Sequence, residues 1–191
     1  RAKALLDMYG YVDKNGDGWR ELPDGSPLVL VSATQPDQRN RQLNELWRKH
    51  MNAIGLNIVF KPAKWPENLK AARAGKLQMW GVASTAAGGD GQSILERYYG
   101  PSAGQGNLAR FKLPAFDALF EKLTGLADGP ERDAVFRDAK RLAVAYMPYK
   151  LHCHRFVVDM MYGDVVGYRR PAYWLDWWHM VDVAPQPAGR A

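Results

Sequence analysis

Four runs of residues carry types and spacings that could do chemistry. Asp13, Asn15, Asp17 and Gly18 match the opening of a calcium loop, D-x-N-x-D-G, in which oxygen ligands alternate around a sharp glycine turn. The twelfth position is Asp24, where a helix–loop–helix calcium site places a bidentate Glu. A strand pattern follows the loop, not a long amphipathic helix. The run therefore reads as an Asx-rich turn, with no metal assigned.

His152-Cys153-His154 has the residue types of a metal or thiol site. In an extended strand alternate residues share a face, so the two histidines point one way and Cys153 the other. Two ligands do not close a zinc site, and His50 or His179 would have to be brought in by the fold. A nucleophilic Cys needs a base within reach, and its immediate neighbours turn away from it. The run reads as a plain strand. No acid/base pair or nucleophile stands out elsewhere, so no catalytic residue is assigned and the chain is read as a non-enzyme.

Gly88-Gly89-Asp90-Gly91 precedes a short helical pattern and could cradle an anion on backbone N–H groups. It lacks both the G-x-G-x-x-G spacing and the Lys of a nucleotide loop. Two readings stay open here, a ligand-facing loop and an ordinary surface loop. The fourth run is Tyr168 to Trp178, which holds Tyr168, Tyr173, Trp174, Trp177 and Trp178. Aromatic residues this dense belong to a core or to an interface, here one that could meet something outside the chain.

These runs have to be held by a scaffold, and the hydrophobic pattern supplies one. Residues 2–9 form a short helical pattern closed by Gly10. Residues 27–34 read as a strand, nearly continuous in Leu and Val and so expected to be buried on both faces. Asp37 opens a helix whose apolar stripe is Leu43, Leu46, Trp47, Met51 and Ile54, and Gly55 closes it. Residues 56–61 read as a second strand, 65–74 as a helix and 77–83 as a third strand. Strand, helix, strand, helix, strand is the rhythm of an α/β sheet. The small polar run 84–91 then leaves the third strand at its carboxyl end, where ligands bind in open α/β sheets. Beyond it come helical patterns at 93–99, 114–126 and 130–146, and strand patterns at 149–154 and 156–161. The Pro-rich residues 184–191 read as a frayed tail.

Composition narrows the function classes. The chain has 191 residues, 47% hydrophobic and 24% charged, an ordinary globular balance. Its single cysteine excludes an internal disulfide framework and a Cys-rich zinc module. No apolar run approaches the ~18 residues of a spanning helix. The net charge of +6 lies entirely between Pro36 and Lys76, where nine Lys/Arg face three acids. Those charges fall at helical intervals between apolar residues, the pattern of a solvated helix face, so nucleic acid is not expected as a partner. The chain opens at Arg1 with no initiator Met and no apolar targeting region, which reads as a mature chain or a fragment.

Taken in order, the pieces resemble one family. The carriers are Ala2-Lys3-Ala4-Leu5-Leu6, the run Asp17-Gly18-Trp19-Arg20-Glu21-Leu22-Pro23-Asp24-Gly25-Ser26-Pro27-Leu28, Leu43 to Ile58 with its Ile-Gly-Leu step, and Asn68-Leu69-Lys70 through Leu77-Gln78-Met79-Trp80-Gly81. Later ones are Phe116-Asp117-Ala118-Leu119, Pro130-Glu131-Arg132 and Ala145-Tyr146-Met147-Pro148-Tyr149. Together they resemble the C-terminal half of extracellular solute-binding proteins of family 5, the peptide/nickel-binding class of ABC-importer receptors.

That resemblance implies an α/β fold, a periplasmic-binding-protein-like (type II) lobe with a mixed sheet flanked by helices over residues 1–183, and a disordered tail at 184–191. It implies a periplasmic location and capture of a small solute, an oligopeptide among the candidates. The implied partners are an inner-membrane ABC permease and the N-terminal lobe of the same full-length protein, with no cofactor. Recognition falls to the loop after the third strand through Ser84, Thr85 and Asp90, with Asn107 and Arg110 added from the next loop. In the family pattern a Trp and an Asp of that loop line the cleft; here Ser84 and Ala87 occupy those positions. The alternative from another class is a calcium-stabilised hydrolase lobe, which needs the Asp13 loop and a histidine site to be real.

Overall fold

In the computed structural model, the described residues are 1–83, 91–154, 156, 158–170 and 178–185. They fall into two compact units, Arg1–Val82 and Ala83–Ala191.

The first unit follows the expected strand–helix alternation. Helix α1 (Ala2–Met8) is followed by β1 (Val29–Thr34), α2 (Gln38–Asn52), β2 (Asn57–Pro62), α3 (Trp65–Arg73) and β3 (Met79–Trp80). The three strands form one parallel sheet in the order β2-β1-β3. β1 pairs with β2 along its whole length, from Val29 opposite Asn57 to Thr34 opposite Pro62. It meets β3 only through Ser32 opposite Met79 and Ala33 opposite Trp80. The third strand is thus shorter than residues 77–83, because Gln78 uses its side chain in place of a ladder bond: its Oε1 accepts from the Val31 N–H at 2.6 Å.

Burial in this unit is sparse. Ala33, Leu56, Ile58 and Ala72 form its buried apolar centre, so the Leu/Val part of β1 is less enclosed than its composition implies. The α2 stripe is also less buried than expected: no residue of α2 is buried, and Leu43 and Leu46 are 42% and 49% exposed. The helix packs on β2, an edge strand, and touches it along a narrow line. One of those contacts is polar, with the Arg48 guanidinium 5.6 Å above the Phe60 ring.

Local chemistry sets the element ends. The Asp37 side chain caps α2 by accepting from the Asn40 N–H at 2.9 Å. Arg20 ties three segments together. It pairs with Asp7 of α1 at 2.5 Å, donates from Nε to the Ile54 carbonyl at 2.7 Å, and also donates to the Tyr11 carbonyl. Its backbone N–H bonds the Gly55 carbonyl at 2.8 Å.

The second unit is helical. α4 (Gln92–Leu95) runs into short 3-10 turns at Glu96–Tyr98 and Gly100–Ser102, followed by α5 (Pro114–Gly125) and α6 (Pro130–Tyr146). The core joins Leu95, Tyr98, Phe116, Phe120, Leu123, Val135, Ala139 and Ala143. The expected apolar stripe of 114–126 is the face that builds it. Phe116 and Phe120 stack at 9° between ring planes, and Tyr98 meets Phe116 at 5.7 Å. Burial pushes the Tyr98 hydroxyl pKa up.

Toward the carboxyl end the expectation of strands at 149–154 and 156–161 is not met. Among the described residues there, strands form only at β4 (Val165–Val166) and β5 (Asp182–Val183), an antiparallel pair. The described residues of 149–161 belong to no ladder, and Phe156 and Met160 are almost fully exposed. An extended segment needs a neighbouring strand to satisfy its N–H and C=O groups, and among the described residues none is supplied. Of the aromatic run, Tyr173, Trp174 and Trp177 lie outside the described residues, as do 186–191 of the tail. Trp178 is exposed, while Tyr168 donates to Asp159 at 2.7 Å.

Two predictions follow from these ties. Arg20→Ala removes charge-assisted bonds to two carbonyls and Asp7, and is expected to cost about 2–3 kcal/mol, read by urea denaturation. A loss under ~0.5 kcal/mol would contradict this role. The second concerns acid. The Asn40 backbone N–H and then the Asn40 side chain hold the Asp37 carboxyl below its ordinary value of 3.8. Its capping contribution is therefore complete above the unfolded value and is lost as pH falls through the lower folded value. Asp37→Asn should flatten the stability–pH curve in that acid window, and an unchanged slope would exclude Asp37 as its source.

Candidate functional site

Parallel α/β sheets gather function at the carboxyl ends of their strands. In the first unit that edge is well ordered by one carbonyl. Thr34 O, at the end of β1, accepts from the Ala63 N–H at 3.0 Å and from Asn68 Nδ2 at 2.8 Å. Asn68 also donates to the Ala63 carbonyl at 3.1 Å and is 97% buried. The Thr34 hydroxyl lies 3.2–3.3 Å from the Asn44 side-chain amide of α2. These bonds fix the β2–α3 corner against the tip of β1. Trp65, the first residue of α3, is thereby set against Trp80, the last of β3, with ring centroids 4.8 Å apart and planes tilted by 42°.

Of the five residues expected to bind solute, Ser84, Thr85 and Asp90 lie outside the described residues, as does Ala87. Asn107 is described and wholly buried. Its Nδ2 donates to the Tyr99 carbonyl at 3.0 Å and the Phe111 carbonyl at 2.7 Å, and its Oδ1 accepts from the Phe111 N–H at 3.2 Å. Both amide protons and the oxygen are occupied by the backbone of its own loop, so this side chain braces residues 99–111. Arg110, on that braced loop, is exposed and has φ 54°, a left-handed conformation uncommon for a residue with a Cβ. The loop is pinned again where the Tyr149 hydroxyl accepts from the Ala109 N–H at 3.1 Å.

Other residues hold the same region. Asp117 of α5 accepts from the Gly100 N–H at 2.8 Å, and a Cβ at position 100 would stand 2.6 Å from its Oδ2. A side chain there would push the Asp117 carboxylate off this bond. Arg132, buried in α6, donates to Gln92 Oε1 of α4 at 2.6 Å. Sequence reasoning missed Asn68, Asn107 as a brace, and Asp117. The available signal was a polar residue inside an otherwise apolar helical face, which points to a buried bond.

The acidic turn is folded on itself. Asp13 accepts from the Gly16 and Gly18 N–H groups at 2.7 and 2.9 Å, and Asp17 from the Trp19 N–H at 2.8 Å. Asp13, Asp17 and buried Glu21 bring carboxylate oxygens within 4.8 Å of one another, while Glu21 also accepts from the Lys14 N–H at 2.7 Å. Asp24 faces Ser26 instead, at 2.6 Å to the hydroxyl, which holds its pKa below the usual carboxylate value. Among the described residues, His152, Cys153 and His154 join no cluster of three ligating groups.

The sequence model of bacterial extracellular solute-binding proteins, family 5 Middle, matches residues 1–106. The chain is 27% identical to di/tripeptide-binding protein 2 of Pseudomonas aeruginosa over 173 residues, covering 88% of this chain and 30% of that protein. It is 26% identical to heme-binding protein A of Haemophilus influenzae, covering 96% of this chain and 32% of that one. The chain thus spans less than a third of the length of these curated relatives. Among solved structures, the periplasmic oligopeptide-binding protein of a Thermotoga maritima oligopeptide ABC transporter superposes with a TM-score of 0.64 at 20% identity. That superposition covers 77% of this chain and 29% of that chain.

The brace yields a direct expectation. Asn107→Ala leaves two carbonyls and one N–H without their partner, and should lower stability by about 2–3 kcal/mol, measured as a shift of the denaturation midpoint. A midpoint within ~0.5 kcal/mol of the parent would show the loop to be held by other bonds.

Proposed function

Because the chain belongs to the bacterial extracellular solute-binding proteins of family 5 and has the α/β fold of type II periplasmic binding proteins, we propose that it serves solute capture for an ABC importer. The reading is that residues 1–183 form the C-terminal lobe of a two-lobed receptor. That receptor works in the periplasm and delivers its solute to an inner-membrane permease. Capture is non-covalent, so the protein is not an enzyme. The observation that carries the reading is the family match across 1–106, which spans the whole first unit and the start of the second.

In this reading Ser84, Thr85, Asp90 and Arg110 touch the solute. Asn107 positions the loop that carries Arg110, since its own amide is occupied. The solute is a short peptide or a molecule of similar size, consistent with a relative named for di- and tripeptides. Ala87 offers no carboxylate to an ammonium group, so a free amino terminus is not the main anchor.

Two lobes closing on a ligand share its contacts and its desolvation. A tripeptide should therefore bind the two-lobed receptor at least ~100-fold more tightly than this chain, about 2.7 kcal/mol, by calorimetry. Acetylating the peptide amino terminus should change affinity by under ~10-fold. Equal affinity for the single chain and the receptor would overturn the lobe assignment. A ~100-fold loss on acetylation would show that an amino-group anchor survives.

A further inference from the structure

We propose that Trp65 and Trp80 form a subsite for an aromatic carboxylate at the carboxyl edge of the first unit's sheet; the proposal rests on the solute-capture reading and names a solute class for it. Three observations converge on the pair. The first is its place: β3 ends at Trp80, and α3 begins with Trp65 three residues after β2 ends at Pro62. Both rings thus stand where open α/β sheets present ligands.

The second is an incomplete aromatic cluster. Trp65 is 43% exposed although its ring packs on Trp80 at 4.8 Å. A tilt of 42° is intermediate between stacked and edge-on, and leaves the outer face of Trp65 open to another ring, which aromatic side chains accept in offset or edge geometry.

The third is an unmet donor. Trp80 Nε1 is buried and has no hydrogen-bond partner. A buried indole N–H almost always finds an acceptor, and a ligand oxygen inserted beside the pair would supply one. The surrounding charge selects which oxygen. Lys61 and Lys64 are exposed on either side of the β2–α3 corner, and the positive end of the nine-residue helix α3 starts at Trp65. Glu67, the one acid of that turn, is folded back onto the Lys64 N–H at 3.3 Å. A carboxylate beside an aromatic ring would thus find an indole face, an indole donor and the positive charge carried by Lys61 and Lys64 on the same corner. Such a ligand is either a free aromatic acid or a peptide ending in an aromatic residue.

The test uses this chain with 15N-labelled tryptophan, whose indole N–H signals for positions 65 and 80 are identified with Trp65→Phe and Trp80→Phe. The probes are 3-phenylpropionate and Ala-Ala-Phe, with 3-cyclohexylpropionate and Ala-Ala-Leu as non-aromatic partners. The expected result is movement of the Trp65 and Trp80 signals with at least one aromatic probe, at least tenfold tighter than with its non-aromatic partner. Movement with the free acid alone or the peptide alone supports the subsite and identifies the source. Trp65→Ala, which removes a half-exposed ring, should weaken that binding by about tenfold while amide signals of β1 and β2 stay in place. Equal response to the cyclohexyl and leucyl probes overturns the proposal. If Ala-Ala-Phe moves other signals but not these two, the subsite is wrong and solute capture stands. If no probe moves any signal of the chain, the subsite is wrong, and titration of the two-lobed receptor with a tripeptide decides solute capture separately.

Discussion

The first unit depends on a single carbonyl. Thr34 O takes two donors at the tip of the central strand, one from the Ala63 backbone and one from the Asn68 amide. In a parallel sheet the strand tip is where the ladder runs out and polar groups must find other partners. Here the corner leading into α3 supplies them, and the same bonds decide where α3 begins. The geometry of Trp65 against Trp80 follows from that placement. A buried Asn inside a helix is costly unless bonded, and Asn68 donates to one carbonyl of the corner, Ala63, and to one at the strand tip, Thr34.

The second unit solves a similar problem differently. Its loop 99–111 has little regular structure, yet its backbone groups are met from inside by Asn107 and from outside by Asp117 and Tyr149. The rings of Tyr98, Phe111, Phe116 and Tyr149 close around it. The result is a loop with a rigid base that carries Arg110 in a left-handed conformation. Rigid bases of this kind allow an exposed side chain to be presented in a fixed direction.

Much of the scaffold was legible in the residues. Periodicity located α2, α3, α5 and α6 to within a residue or two, because each has a Gly, Pro or Asp at its boundary. β1 and β2 were legible from β-branched runs. What periodicity could not reveal is tertiary. Gln78 substitutes a side-chain bond for a ladder bond and shortens β3. Residues 149–161 alternate like strands but have no described neighbour to pair with. The α2 stripe was expected to be buried, and its exposure reflects how little sheet lies beneath it. For the site, the sequence singled out Asn107 as a solute contact, and the structure shows its amide bonded to the backbone of its own loop. An Asn that binds solute and an Asn that binds its own backbone look alike until burial is known.

The two-residue β3 has a consequence for the order in which the first unit assembles. β1 and β2 are joined by six paired positions across the connection that holds α2, so their ladder can zip soon after α2 forms. β3 must close the connection through α3 to gain only two paired positions, and loop closure has to precede the contacts that reward it. The Trp80 end of the sheet is therefore the last part to dock during folding and the first to open in the native state. Its amide protons should exchange with solvent ahead of those in β1 and β2.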